Sequence, residues 1–310
     1  MRLYGDGFLA AFAQIAGVYY GSCLLLDLAG HLFPVQDVQR SPQPKADRRR
    51  DALLSLGAIA VKAGVLTAVE RLQAAGVTQL YEGPVTGLSQ LAYLALSVVV
   101  LDYLHDSWFY WTHYFLHWRP MYKHVHYLHH RSRRPTPYTG YAFHPVEGAV
   151  VFANEILVAL LFPLHAGLHR AYHLFTTIIH TGGHCGYEIA PFIPTLVGLA
   201  TLGTRALLGA GGKAGAAGAA GAAGAQPRTS KWLNTVQHHD MHHSHPGGHF
   251  SLYFTHWDRW VGTLHPKYDA IVGGGATGDA RADAGKTGPA AESPRPRRAA
   301  AVAARAAWRT

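Results

Sequence analysis

Histidine constrains this chain more than any other residue. All but one of its 22 histidines, His31, lie between His105 and His265. Ten of them fall into four tight clusters: His113-x3-His117, His126-x2-His129-His130, His180-x3-His184 and His239-x2-His242-His243. Residues three and four apart on an α-helix share a face, so each cluster presents two or three imidazoles to one side. Neutral imidazole binds zinc, iron, copper or nickel. One tetrahedral zinc takes four ligands, so ten convergent ligands suit two metals with about five each and open positions. Packing accounts for a single histidine. It does not account for four clusters, two of which repeat His-x-x-His-His.

The other histidines carry less. His105, His124, His165, His169, His173, His249, His256 and His265 lack the spacing and read as surface or interfacial. His238 adjoins His239, and such neighbours do not share a helix face. His144, in Ala-Phe-His-Pro, reads as outer support for the site or as lining of a substrate path. The two cysteines, Cys23 and Cys185, exclude a Cys-rich zinc module and a disulfide scaffold.

Charge and hydropathy say where such a site would sit. Only 15% of residues are charged while 49% are apolar, against roughly 25% charged in soluble domains. Residues 8–28 are apolar up to Asp27, and a bilayer-spanning helix needs about 20 such residues. With no basic n-region beyond Arg2 and no clear cleavage site, a retained anchor is favoured over a signal peptide. Residues 35–51 read as a loop with a basic Arg48-Arg49-Arg50 cluster, cytosolic by the positive-inside tendency. Residues 52–76 form a second apolar stretch, interrupted by Lys62, Glu70 and Arg71. Residues 85–104 form a third span. Residues 148–164 and 168–181 read as a helical hairpin turned at Pro163.

The net charge of +9 is not a nucleic-acid signal. Residues 270–310 are rich in Ala, Gly, Pro and Arg without a period and read as a disordered basic tail. Residues 209–225 read as a Gly/Ala insert that loops out. The acid-free run 119–134 holds Arg119, Lys123, Arg131, Arg133 and Arg134. With a span just upstream it fits anionic headgroups or an acidic protein partner.

The cluster sequences resemble the fatty acid hydroxylase/sterol desaturase superfamily of membrane di-iron oxygenases. The resemblance runs through Asp106-Ser-Trp-Phe-Tyr-Trp-Thr-His113, Tyr122-Lys-His-Val-His126 and Pro135-Thr-Pro-Tyr with Ala142-Phe-His144-Pro-x-Glu147-Gly. It resumes at His184-Cys-Gly-Tyr-Glu188 and His238-His-Asp-Met-His-His243, and ends in Trp257-Asp-Arg-x2-Gly262-Thr. It implies an all-α fold: a polytopic membrane helical bundle whose cytosolic-facing helical cap carries the histidine boxes. It divides the chain into N-terminal spans and loop (1–99) and a catalytic stretch (100–265). It implies two irons on His113, His117, His126, His129, His130, His180, His184, His239, His242 and His243. It further implies O2 as oxidant, electrons from NAD(P)H through cytochrome b5 and its reductase, and an endoplasmic reticulum membrane.

The chemistry expected is oxidation of an unactivated C–H bond in a membrane lipid, which needs a redox metal. Metal-bound imidazoles need partners for their second nitrogen, and Asp106, Glu188 and Asp240 are the carboxylates placed to supply them, with His144 near. Pro-Thr-Pro-Tyr and Ala-Phe-His-Pro-x-Glu-Gly look most like sterol C-5 desaturases. His-Cys-Gly-Tyr and the last box lean towards sphingoid-base hydroxylases and sterol C-4 methyl oxidases. A non-enzymatic metal carrier is the rival class; it would need a polar path through the spans, whereas the clusters flank them.

Overall fold

The computed structural model describes residues 7–33, 35–39, 43–188 and 231–272, with a few positions between 195 and 204. The 209–225 insert and all but the start of the 270–310 tail lie outside the described residues.

Among the described residues the regular structure is helical apart from one two-residue ladder, Gln36–Asp37 (β1) against Tyr187–Glu188 (β2), and two isolated bridges. Three helices are long and apolar enough to cross a membrane: α1 (Phe8–Leu32), α2 (Lys45–Ala74) and α3 (Leu88–Leu116). At 1.5 Å per residue each exceeds the ~30 Å hydrocarbon thickness. After α3 come a short turn α4 (Arg119–Met121), a π-helical turn (Tyr122–His126) and α5 (Tyr127–His130). The hairpin α6 (Pro145–Leu161) and α7 (Ala166–Gly183) follows, and then α8 (Val236–Ser244), α9 (His256–Val261) and α10 (Tyr268–Val272).

Helical periodicity decides the packing. Along α1, Ala11, Ile15, Tyr19 and Cys23 recur every four residues and are fully buried, while Leu9, Leu24, Leu25 and Leu28 face outward. The buried stripe packs on Ala58, Ile59, Ala63 and Leu66 of α2, and Val151, Phe152 and Ile179 of α6 and α7 complete the same core. α1 and α2 therefore share one core with the histidine-bearing stretch. The outward leucines are the face expected against lipid.

Several boundaries differ from the sequence reading. The second span starts at Lys45 rather than residue 52, because Arg48, Arg49 and Arg50 form the polar first turns of α2. Arg50 lies on Asp47 and Asp51, and Arg48 pairs with Asp27. The third span does not stop at residue 104 but continues to Leu116, since nothing breaks the helix before Pro120. Lys62 and Glu70, which interrupt the second apolar stretch, are paired inside the bundle. Lys62 Nζ lies 2.8 Å from Glu155 Oε1, both completely buried, and Arg170 Nη1 lies 2.9 Å from Glu70 Oε1.

The isolated histidines also need correction. His105, His169, His173, His249 and His256, expected at the surface or an interface, are buried, and so is His238. His105 Nδ1 meets Asn154 Nδ2 at 2.7 Å, and His169 Nε2 donates to the Glu155 carbonyl at 2.9 Å. His124 is exposed, and His165 and His265 are half-buried.

Candidate metal centre

All four histidine clusters converge at one end of the bundle. His113 sits on the last turn of α3 and His117 is the residue that ends it. His126 closes the π-helical turn, and His129 and His130 lie on α5. His180 is on the last turn of α7 and His184 ends it. His239, His242 and His243 are on α8. The loop carrying the second cluster is tied to the start of α2. The fully buried Asp51 accepts hydrogen bonds from Ser132 (2.6 Å) and Thr139 (2.8 Å). Gly140 then lies so close to α7 that a Cβ there would meet the His180 carbonyl oxygen at 2.8 Å.

Nine of the ten rings form two nitrogen sets. One contains His113, His117, His126, His130 and His242; the other contains His129, His184, His239 and His243. Within each set the nitrogens lie within 4.8 Å of one another. His180 belongs to neither set. Its Nε2 is buried without a partner, and its ring lines a cavity with Phe109, Leu116, Phe143, Val151 and Glu147. That cavity reaches rings of both sets.

Proton positions show what the sets are built for. His113 Nδ1 donates to the Phe250 carbonyl (3.1 Å), His126 Nδ1 to Glu147 Oε1 (2.8 Å) and His242 Nδ1 to the Gly248 carbonyl (2.7 Å). His180 Nδ1 donates to the Thr176 carbonyl (2.8 Å) and His184 Nδ1 to the His180 carbonyl (2.6 Å). The backbone carbonyls only accept, so in His113, His180, His184 and His242 the ring proton is on Nδ1 and Nε2 carries a bare lone pair; an ionised Glu147 places the His126 proton likewise. These Nε2 atoms face other ring nitrogens. His130 Nε2 is 3.1 Å from His126 Nε2 and 3.0 Å from His242 Nε2. His184 Nε2 is 2.8 Å from His239 Nε2 and 3.3 Å from His129 Nε2. One His130 proton is thus shared by two acceptors, while His117 Nε2 and both nitrogens of His243 are buried with no partner. Lone pairs in excess of protons repel one another unless a cation sits among them, and this donor set fits a metal in each group.

Burial, followed by the neighbouring imidazoles, holds His117, His126, His129, His130, His239, His242 and His243 well below the usual imidazole range. Burial also pushes His184 down to about 4. The rings are neutral at physiological pH, the form that coordinates metal.

The outer residues proposed from sequence sit elsewhere than expected. Asp106 bonds no ring of either set; its Oδ1 accepts from the backbone N–H groups of Leu252 (3.0 Å) and Tyr253 (2.6 Å). Its role is to hold the 250–255 segment against α3. Glu188 accepts from Gln237 N at 2.8 Å and Val236 N at 3.2 Å, capping the N-terminus of α8. Asp240 accepts from Gln39 Nε2 at 3.0 Å. His144 caps α6 by accepting from Val146 N at 3.2 Å. The carboxylate that orients a ring is Glu147, one helical turn inside that cap. It stands three residues after His144 in the quoted motif, which was the available signal. Asp258 was missed as well. It is completely buried and bonds His238 Nε2 at 3.1 Å.

Residues 98–205 match the fatty acid hydroxylase family. The chain is 28% identical over 201 residues to the lathosterol oxidase of Rattus norvegicus, covering 63% of this chain and 54% of the relative. It is 31% identical over 183 residues to a Delta(7)-sterol 5(6)-desaturase of Aspergillus fumigatus, covering 56% of this chain and 54% of the relative. Against the Delta(7)-sterol 5(6)-desaturase of Eremothecium gossypii it is 32% identical over 131 residues, with 41% and 37% covered. Over these residues the chain is similar to the fatty acid hydroxylase family and to sterol desaturases. It spans about half the length of the curated relatives it matches, and no solved structure matches it. The three helices long and apolar enough to cross a membrane, together with this similarity, fit a multi-pass membrane protein.

Proposed function

We propose that the chain is an iron-dependent, O2-using lipid oxidoreductase of the endoplasmic reticulum membrane. In this reading it is a sterol desaturase or hydroxylase of the C-5 desaturase type, acting in lipid biosynthesis. The observation that carries the reading is the pair of converging nitrogen sets with bare lone pairs beside an apolar cavity. His113, His117, His126, His130 and His242 would hold one iron, and His129, His184, His239 and His243 the other. His180, with its free Nε2 on the cavity wall, is the proposed tenth ligand. When bound, the irons would supply activation of O2 for attack on an unactivated C–H bond.

The chain's own residues do the rest. Glu147 and the carbonyls of Phe250, Gly248 and His180 keep each ring proton on Nδ1, so that every oriented ring offers Nε2 inward. Phe109, Leu116, Phe143 and Val151 form an apolar wall that accepts a lipid methylene and excludes water. Substrate arrives laterally, because the cavity is built from the ends of the membrane-spanning α3 and of α6 and α7.

Surface residues support the proposed depth and side. Exposed Trp111, Tyr114, Phe115 and Trp118 form an aromatic band where α3 ends, as at a membrane–water interface. Arg119, Lys123, Arg131, Arg133 and Arg134 follow it and are all exposed. Arg50 Nη2 donates to Ser132 Oγ, so the basic start of α2 is at the same end. Basic loops favour the cytosolic side, which is where NAD(P)H-driven cytochrome b5 and its reductase would deliver electrons to this acid-free surface.

The test is expression in membranes of a host lacking sterol C-5 desaturase, with iron content and lipid profile measured. Restored Δ5 sterols support the reading. New 4-hydroxysphingoid bases would move it to the sphingoid branch of the superfamily, and iron-free protein with unchanged lipids would end it.

A further inference from the structure

The two nitrogen sets are not supported alike. Of the five-nitrogen set, His113 and His242 lean on the carbonyls of Phe250 and Gly248, two peptides apart on one strand of backbone. That strand is conformationally costly. His249 has φ 63, the one positive φ outside glycine among the described residues, in a region that non-glycine residues rarely occupy. A Cβ on Gly248 would meet the Thr263 carbonyl oxygen at 2.2 Å. No hydrogen bond joins this strand to a ring of the four-nitrogen set. In that set His184 Nδ1 leans on its own helix's His180 carbonyl, and His129 has a backbone acceptor in Ala142; neither lies on this strand.

We propose that Asp258 is a positioning residue that builds the five-nitrogen site alone, acting through the backbone of Gly248–Ser251. This rests on the metal reading above. Asp258 Oδ1 accepts from Phe250 N (3.0 Å) and Thr263 Oγ1 (2.6 Å), and Oδ2 accepts from Ser251 N (3.0 Å). His238 Nε2 donates to Oδ2 at 3.1 Å. The Thr263 carbonyl accepts from His249 N at 3.0 Å. One carboxylate thereby fixes the peptides on both sides of Phe250, holds Thr263 against Gly248 and keeps His249 in its left-handed conformation. The two carbonyls that orient His113 and His242 are held as a consequence. Asp258 touches no ring of either set, so its effect passes through those peptides.

Site-resolved metal content tests this on the full chain in detergent, with Fe(II) as the probe and Mössbauer spectra to separate the two iron environments. Wild type is expected to bind one iron per set. Asp258→Ala is expected to lose the five-nitrogen environment selectively and keep about one iron per chain. Glu188→Gln, which loosens the cap of α8, lowers both environments together, because α8 supplies rings to both sets. Asp258→Asn keeps one acceptor oxygen and should fall between wild type and Asp258→Ala. Gly248→Ala strains the same strand independently and should give the same selective loss, so the inference stays testable if Asp258→Ala does not fold. Equal loss of both environments, or full retention of both, in Asp258→Ala and Gly248→Ala overturns the assignment. Wild-type protein without two irons would instead overturn the metal reading itself.

Discussion

Two regions of this molecule bury polar groups densely, and they do so in opposite ways. In the middle of the bundle, buried cations meet anions. Lys62 faces Glu155, Thr176 Oγ1 accepts from Lys62 Nζ at 3.1 Å, and Arg170 reaches Glu70 and Gln14. At the end of the bundle like meets like: ring nitrogens point at ring nitrogens. The first arrangement brings opposite charges together and serves packing. The second would be completed by a cation. Burial of polar groups therefore marks function here only where the valences do not cancel.

Removing a ligand should produce the largest effect. His242→Ala and His129→Ala each take one nitrogen from a different set. Turnover of the lipid substrate in membranes should fall more than ~100-fold in both, beyond the 10–100-fold cost of losing an outer partner. Retained turnover in both variants would remove the contrast between the two regions. Restoring volume with Leu should not rescue either variant, since the lost item is a lone pair.

The ion pair should behave in the reverse manner. Lys62→Met leaves Glu155 buried and unpaired, which costs about 3–5 kcal/mol. The paired change Lys62→Met with Glu155→Leu should recover most of that in denaturant titrations of the detergent-solubilised protein. Failure of the double variant to recover would mean that the pair does more than pack.

How much of this was legible from sequence follows the range of each interaction. The four clusters were legible because a covalent spacing of three or four residues already decides that imidazoles share a face. The spans were legible for the same reason, since apolar length is local. Their ends were not: the arginines that begin α2 read as loop until their partners Asp27, Asp47 and Asp51 are seen in space. The division of nine rings into five and four was illegible, because each set draws on several clusters; His129 and His130 are adjacent and serve different sets. Acceptors such as the Phe250 and Gly248 carbonyls carry no side-chain signal at all. Asp258 and His238 stand 20 residues apart, and only the fold makes them neighbours.

Glu147 lies between the two regions in kind and should give an intermediate effect. It is a buried carboxylate like Glu155, but it faces a ring rather than a cation. Glu147→Gln still offers an oxygen to His126 Nδ1, so iron affinity of the five-nitrogen set should fall by about 10-fold. Glu147→Ala offers none, and the loss should approach 100-fold. Competition with a chelator, read against the four-nitrogen environment as internal reference, measures both. Equal affinities for wild type and Glu147→Ala would show that the ring needs no carboxylate to stay aligned.

The smallest effect belongs to a pair that resembles Lys62–Glu155 in chemistry and differs in depth. Arg259 Nη2 lies 2.5 Å from Asp269 Oδ1, and the Asp269 side chain is 55% exposed. The hydrogen bond from Arg259 holds the Asp269 carboxyl below its usual range. A carboxyl with a lowered folded-state pKa adds stability above its unfolded value near 3.9, and that contribution disappears as pH falls through the folded value. At neutral pH, Asp269→Asn should therefore cost only about 0.2–1 kcal/mol, because water and salt screen an exposed pair. At pH 3 the difference from wild type should shrink, and added salt at pH 7 should shrink it too. If Asp269→Asn instead cost as much as Lys62→Met, depth would not be what separates these pairs. The contrast drawn between the paired interior and the unpaired metal end would then have to rest on valence alone.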